Sequence, residues 1–379
     1  MTCLMGIDIG TSSAKVLIID EHGSLMAETT AKYPILSPAP GWAEQDPESW
    51  RASVKEAIKK TLRDCKVDPK QVSAIGLSGQ MHGTVLLGKD LKPLRPAIIW
   101  ADKRSQSQCE EIYERVGKDK VLGITCNPVM PGFMAPSLLW VKENEPSVFG
   151  RISKVLLPKD YIRLKLTGSL ATDVSDASAT LLFDVKRKNW STEIISNLGF
   201  QPDFFPDVYE SKDVTGEVSR EASEETSLPA GAKVAAGGGD SPVGAVGCGV
   251  IEPGLVSSNI GSAGQVFAVL DEVTVDPEFR VHTFCHAVPG KWYIQGAILS
   301  AGLSLSWFAE NLRLEESLKG GDVDSYEILS KEAESAEPGC EGLIFTPYLI
   351  GERSPHMDPY ARGVFFGLAL SHKRAHMVR

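Results

Sequence analysis

A single carboxylate, Asp240, follows three glycines in the stretch Ala236-Gly237-Gly238-Gly239-Asp240-Ser241-Pro242-Val243-Gly244-Ala245-Val246-Gly247-Cys248-Gly249. The glycines leave bare backbone beside the acid, and the small apolar residues after Pro242 read as a helix start, because proline fits the first helical turn. Asp240 is therefore expected at a strand-to-helix junction. A carboxylate there can meet a substrate hydroxyl and a transferring phosphoryl group together. The alternative is an acid that only N-caps its helix.

A second acid, Asp8, stands at the entrance of the turn Gly10-Thr11-Ser12-Ser13, between the strand-like runs 4–9 and 15–20. Backbone N–H groups and hydroxyls gathered in such a turn make an anion-binding concavity, and the acid beside it could hold Mg²⁺. A plain β-hairpin is the competing reading. The pattern recurs, with Asn259-Ile260-Gly261-Ser262-Ala263-Gly264-Gln265-Val266 falling on Asp8-Ile9-Gly10-Thr11-Ser12-Ser13-Ala14-Lys15. Two such turns about half a chain apart are what a two-lobed nucleotide clamp needs.

Other candidates surround small polar ligands. Residues 73–78 read as a strand that delivers Gly79-Gln80-Met81-His82-Gly83 into a loop, where Gln80 and His82 offer hydrogen bonds and Met81 an adaptable apolar wall. Trp100, Asp102 and Arg104 set an aromatic plate beside a charged fork, a combination found in sugar pockets and equally in core tryptophans next to an ion pair.

The elements that must carry these groups are legible in outline. Asp46-Pro47 opens a helix whose buried face is Trp50, Val54, Ala57, Ile58 and Leu62. Helices are also expected around Leu138–Trp140, from near Lys159, over Leu303–Phe308 and near 324–335. Residues 171–178 (ATDVSDAS) read as a loop over a cleft, and 186–232 as irregular surface without chemistry.

At 379 residues the chain exceeds the size at which single cores stop growing, roughly 250 to 300 residues, so two domains are expected. A net charge of −10 disfavours nucleic acid and anionic membrane as partners, so an anionic substrate has to be held by local dipoles. Seven scattered cysteines without a CxxC pair argue against zinc and a disulfide framework. With neither a leader pattern nor a membrane-length apolar run in view, the expected compartment is the cytosol. Gly290-Lys291 lacks the earlier glycine and following hydroxyl of a P-loop.

Taken together, DIGTSSAKVLIID, LSGQMHGTVLL, the Trp100-x-Asp102-x-Arg104 triplet, ATDVSDAS, AGGGDSPVGAVGCG, GERSPHMDPYARG and GVFFGLALSH resemble the FGGY carbohydrate kinases, and the Gln80–Gly83 loop their xylulokinase branch. The resemblance implies an α/β, actin-like ATPase fold of duplicated RNase H-like cores. Its two lobes flank a cleft, with a sugar-binding and catalytic lobe over 1–246 and an incomplete nucleotide-binding lobe over 247–379. It implies ATP- and Mg²⁺-dependent phosphorylation of D-xylulose to the 5-phosphate in pentose metabolism, with other pentuloses, gluconate or a non-catalytic sugar-binding remnant as alternatives. Asp240 would be the base; Gln80, Met81, His82, Trp100, Asp102, Arg104, Asp240 and Ser241 the sugar contacts; Asp8 and Asp240 the metal acids. The turn residues Gly10, Thr11, Ser12, Ser13 and Lys15, with Gly261, Ser262 and Ala263, would hold nucleotide phosphates. A homodimer is a candidate assembly.

Three positions depart from the family pattern: Ser241 stands for Asn, Ala263 for a hydroxyl residue, and Ser137 for the lysine of the first signature. The second signature begins at Gly363 and stops at Arg379. That ending gives the expectation of a truncated chain, cut within a core element and unstable or inactive in isolation.

Overall fold

The computed structural model describes residues 2–312, 325–358 and 360–379. It divides into two compact units. The first comprises Met1–Leu255, Val269–Val275 and Thr283–Tyr293, the second Val256–Ala268, Asp276–His282 and Ile294–Arg379. The chain thus returns twice to the first unit.

In the first unit, strands β1 (Cys3–Ile9), β2 (Ser13–Asp20) and β3 (Leu25–Lys32) form a meander. On the other side of β1 the strand Val72–Gly79 pairs in parallel, followed by Lys233–Ala235 and Val214–Glu217. The short strand Gly238–Gly239 also pairs in parallel with Val72–Gly79.

Alternation decides which side chains face which layer. Cys3, Met5, Ile7 and Ile9 are buried in the core, as are Ala14, Val16 and Ile18 of β2. Helix α1 (Pro47–Asp64) packs on β2 and β3 and buries the expected face of Trp50, Val54, Ala57, Ile58 and Leu62. Its N-cap is Asp46, whose carboxylate accepts the Glu48 N–H at 3.0 Å. Gly6, Asp8 and Lys15 point to the opposite face by the same alternation. There Gly6 pairs with Gly76, so two neighbouring positions carry no side chain and leave room above the sheet.

Two expectations are corrected here. Residues 171–178 are not a loop over a cleft: they form the strand Ala171–Asp173 and the helical turn Val174–Ala177, and all are buried. Small polar side chains resemble a loop in sequence, but here they bond to one another inside the unit. The region 186–232 is more ordered than expected, with helices Thr192–Asn197 and Arg220–Thr226 and the sheet strand Val214–Glu217. It also brings Ser211 beside the glycine triplet, where Ser211 O accepts the Gly237 N–H at 2.9 Å.

In the second unit, Val256–Ile260 pairs antiparallel with the strand Gly264–Leu270. That hairpin belongs to a four-stranded sheet in the order Val256–Ile260, Gly264–Leu270, Trp292–Ile298, His282–Cys285. The repeat with the start of the chain holds for the strands but not residue for residue through the turn. Ile9 pairs with Ala14 whereas Ile260 pairs with Gly264, so the second turn is one residue shorter. Asn259 accordingly faces Gln265 as Asp8 faces Lys15. The helices Gly302–Asn311 and Ser325–Ala333 follow, then the strand pair Ile344–Thr346 and Val364–Phe366 with Phe345 stacked on Phe365.

All seven cysteines are free thiols. Cys3, Cys109, Cys126, Cys285 and Cys340 are buried, Cys65 is half-buried, and Cys248 is exposed at the end of the helix Asp240–Gly247. Among the described residues no helix is long and apolar enough to cross a membrane.

Gly237 tests the packing around Asp240. Its φ of +73° suits glycine, and a Cβ there would lie 2.2 Å from the Leu77 carbonyl oxygen. Gly237→Ala should therefore cost roughly 2 kcal/mol or more of stability. Urea unfolding measures it, and an unchanged midpoint would show that the turn relaxes freely.

Candidate functional site

The register of the parallel strands builds the site. Lys15 pairs with Asp8, Asp8 with Ser78, and Ser78 with Gly238, so four positions run in one row across the sheet. At strand spacings of about 4.8 Å, Gly238 lies roughly 10 Å from Asp8, and Asp240 follows two residues later. These residues line a cavity of about 550 Å³ over the glycine-floored face, with Asp8, Lys15, Ser78, Gly237 and Asp240 all in its wall. The row sits where parallel strands end and chain turns begin, the usual place for ligands in such sheets.

Asp240 is the first residue of its helix, and Gly239 occupies the N-cap. The N-cap alternative therefore does not hold. The Asp240 Oδ1 accepts the N–H of its neighbour Ser241 at 2.8 Å, with the Ser241 hydroxyl at 3.5 Å. Crowding by protein atoms, and after it the charge of Asp8, raises its carboxyl to about 7. Solvent still reaches Asp240, which screens part of that shift. Asp8 is itself raised by burial, against the opposing pull of the Ser78 hydroxyl at 2.9 Å and of Lys15.

The first turn has its acceptors occupied. Tyr33 Oη donates to Gly10 O at 2.5 Å, Gln45 Nε2 to Thr11 O at 2.6 Å, Tyr33 N–H to Ser12 O and Gly10 N–H to Ser13 O. Among the described residues no acceptor meets the N–H groups of Thr11 or Ser12. With its carbonyls taken, the turn presents donors, as an anion cradle must. The second unit uses the same device at Gly261–Ala263. Gly302 N–H meets Gly261 O at 2.9 Å, and Ala301 and Leu303 N–H meet Ser262 O. Only glycine fits at 302, where a Cβ would lie 2.6 Å from Gly261 O.

The Gln80–Gly83 loop divides its work. Met81 packs on Gly239, where a Cβ would lie 2.7 Å from its Cγ, and Tyr293 Oη donates to its sulfur at 3.8 Å. His82 adopts a left-handed φ of +71°, and its Nδ1 donates to Ala179 O at 2.7 Å, which sets the direction of the ring. Its ring lies 3.9 Å from that of Phe133. Gln80 is buried, and its amide donates to Gln45 Oε1 at 2.8 Å, so it braces the Gln45 that holds the first turn.

The triplet of Trp100, Asp102 and Arg104 comes apart. Trp100 Nε1 donates to Thr11 Oγ1 at 2.9 Å and so belongs with the first turn. Asp102 and Arg104 are each about 1% exposed in their side chains and are bonded to one another. The guanidinium also stacks over Trp42 at 3.6 Å, and Glu44 lies 2.7 Å from it. Both charges are thereby spent within the protein.

Several contributors escaped the sequence reading. Ser78 lies on a strand expected only to deliver the loop after it, Ser211 in a region expected to be irregular surface, and Tyr293 on the strand Trp292–Ile298, outside every candidate motif. Lys159, expected only as a helix start, is fully buried and bonded to Asp160 and Asp173. The run Lys159-Asp160-x-x-Arg163 on one helix, with the acids of ATDVSDAS downstream, is the signal that could have flagged it.

Residues 3–247 match the N-terminal domain, and residues 259–379 the C-terminal domain, of the FGGY family of carbohydrate kinases. A xylulose kinase of Klebsiella pneumoniae is 41% identical over 375 residues, 99% of this chain and 75% of that protein. The crystal structure of a xylulose kinase from Brucella ovis is 38% identical with a TM-score of 0.89 over 99% of this chain and 75% of that one. The ligand-bound xylulose kinase from Lactobacillus acidophilus is 28% identical with a TM-score of 0.92 over 100% and 75%. These relatives are longer, which by itself does not make this chain a fragment, and the expectation of truncation stands unsupported.

The coupling between Asp8 and Asp240 has a sign that can be measured. Removing a negative neighbour eases ionisation, so Asp8→Asn should bring the Asp240 midpoint down from about 7. The folded carboxyl holds its proton more tightly than an unfolded one near 3.8, so its contribution to stability is present below that pH and fades as pH rises through about 7. A ¹³C titration of the Asp240 carboxyl reads both forms, and an unmoved midpoint in Asp8→Asn would mean the two acids do not sense each other.

Proposed function

Because the chain belongs to the FGGY family of carbohydrate kinases, we propose that it transfers the γ-phosphoryl group of ATP to the terminal hydroxyl of D-xylulose, giving the 5-phosphate. The observation that carries this reading is Asp240, a carboxylate held at about 7 in the wall of a cavity beside Asp8. A general base works best with a pKa near the operating pH. Asp240 accepts the proton of the attacking hydroxyl, while the helix start fixes the carboxylate by the Ser241 N–H.

Phosphoryl transfer asks for positioning and charge neutralisation more than for covalent chemistry. The unopposed N–H groups of Thr11 and Ser12 suit phosphate oxygens, and Lys15, in the same cavity wall, adds a positive charge. The Gly261–Ala263 turn of the second unit, with its carbonyls likewise occupied, is the other candidate for phosphate. Met81 and His82 are the favoured sugar contacts. Asp102 and Arg104 act as a buried pair that supports the loop carrying Trp100, and Gln80 as a brace for the first turn.

Among the described residues no cluster of three His, Cys, Asp or Glu offers a complete protein-only metal site. Mg²⁺ does not need one, since it takes one or two carboxylates and fills its octahedron with water and phosphate oxygens. The donor set fits: Asp8 and Asp240 line one cavity and both carboxyls are raised, so positive charge there is favoured. These two acids would hold the ion, which would supply charge neutralisation at the phosphates. The seven free thiols suit a reducing compartment such as the cytosol.

Sugar-dependent ADP release over a panel of D-xylulose, other pentuloses and gluconate tests the assignment. D-xylulose should give the highest kcat/KM, and a higher value for another sugar would replace it. Asp240→Asn should reduce kcat by about 10³-fold or more while raising the thermal midpoint at pH 8, because it removes the negative charge that faces Asp8. Retained turnover in that variant would remove Asp240 from the role of base.

A further inference from the structure

Behind the cavity wall lies a charged cluster that the reaction as described does not use. Lys159 and Arg163, on the helix Pro158–Thr167, and Asp160, Asp173 and Asp176 all have fully buried side chains. Lys159 Nζ lies 2.6 Å from Asp160, 2.9 Å from Asp173 and 3.5 Å from Asp176. Burial works against the ammonium, but the three acids outweigh it and keep Lys159 charged. Burial also lifts the Asp176 carboxyl well above the ordinary range, so in its protonated form two cations face two carboxylates.

This cluster reaches the backbone that leads to Asp240. Asp173 Oδ2 accepts from Ser175 Oγ at 2.6 Å, Ser175 N–H at 2.8 Å and Ser211 Oγ at 2.7 Å. Ser175 Oγ in turn accepts the N–H of Gly239 at 3.2 Å. Arg163 donates to Ala236 O at 2.7 Å, and Ser211 O takes the Gly237 N–H. Three consecutive glycines carry little conformational preference of their own, so their path has to be set from outside. The contacts from Arg163, Ser211 and Ser175 set it, and the last of them acts on the residue immediately before Asp240.

We propose that Ser175, locked by Asp173 and Lys159, is a positioning residue that fixes the direction in which the Asp240 carboxylate leaves the sheet. The proposal rests on Asp240 being the base. Ser175 itself sits beneath the glycines, where a Cβ on Gly238 would come within 2.7 Å of its hydroxyl, so it acts through the turn. Misplacement of a reacting group by about 1 Å can cost on the order of 10²-fold in rate. Loss of this hold should therefore appear in kcat and leave sugar affinity alone.

The test compares the full chain with Ser175→Ala and with Ser175→Cys, a nearly isosteric change that keeps the packing but offers only a weak acceptor. Amide hydrogen exchange at Gly239 reports the hold directly, and steady-state kinetics report its consequence. In Ser175→Ala the Gly239 amide should exchange about tenfold faster or more, kcat should fall about 10- to 100-fold, and KM for the sugar should stay within about threefold. Ser175→Cys should show the same split to a smaller extent and stands in if the alanine variant does not fold. Unchanged Gly239 exchange, faster exchange with unchanged kcat, or a kcat loss no larger than the unfolded fraction would overturn the proposal. If the unsubstituted chain shows no sugar-dependent ADP release, the kinase reading fails on its own, and Gly239 exchange still decides whether Ser175 holds the turn.

Discussion

The parallel pairing of Gly238 and Gly239 with Ser78 and Gly79 places two backbones side by side with almost no side-chain volume between them and their surroundings. A Cβ at Gly238 or Gly239 would collide with Ser175, Val243 or Met81, and one at Gly79 would press on Lys159. That closeness is why the acid after the glycines emerges next to Asp8 and Ser78 and not a layer further out. It also delivers buried amides to a site where only the polar cluster beneath can receive them, since an orphaned buried N–H is costly. Packing, charge and chemistry in the first unit are therefore aspects of one constraint.

The two turns illustrate how different scaffolds reach one electrostatic result. In the first unit the turn carbonyls are taken by Tyr33, Gln45 and a neighbouring N–H, and in the second by the start of a helix. Each leaves the turn short of acceptors. The helix Gly302–Asn311 thus spends its leading N–H groups on the turn, so any anion at that place would be received by the turn and not by the helix.

Much of this was legible from the residues. Asp8 before a hydroxyl-rich turn, the face of α1 and the strand-to-helix position of Asp240 follow from alternation, helical spacing and glycine punctuation, which are local signals. What escaped was non-local. ATDVSDAS reads as a loop because its partners, Lys159, Ser211 and Gly239, lie 14 to 64 positions away from Ser175 or Asp173 in the chain and no periodicity announces them. Asp102 and Arg104 looked like a ligand fork because sequence cannot reveal that Trp42, Trp140 and Glu44 converge on the same guanidinium. The shorter second turn was hidden because the residue types match even where the register does not.

The distribution of sulfur has a practical corollary. Burial lifts the thiols of Cys109, Cys126 and Cys285 above their ordinary range, so little of the reactive thiolate forms there at neutral pH. Cys248 is solvent-facing and sits one residue beyond the helix that begins with Asp240. A maleimide dye or spin label would therefore attach there first, giving an optical or magnetic reporter on the far end of the base-bearing helix without any engineered residue.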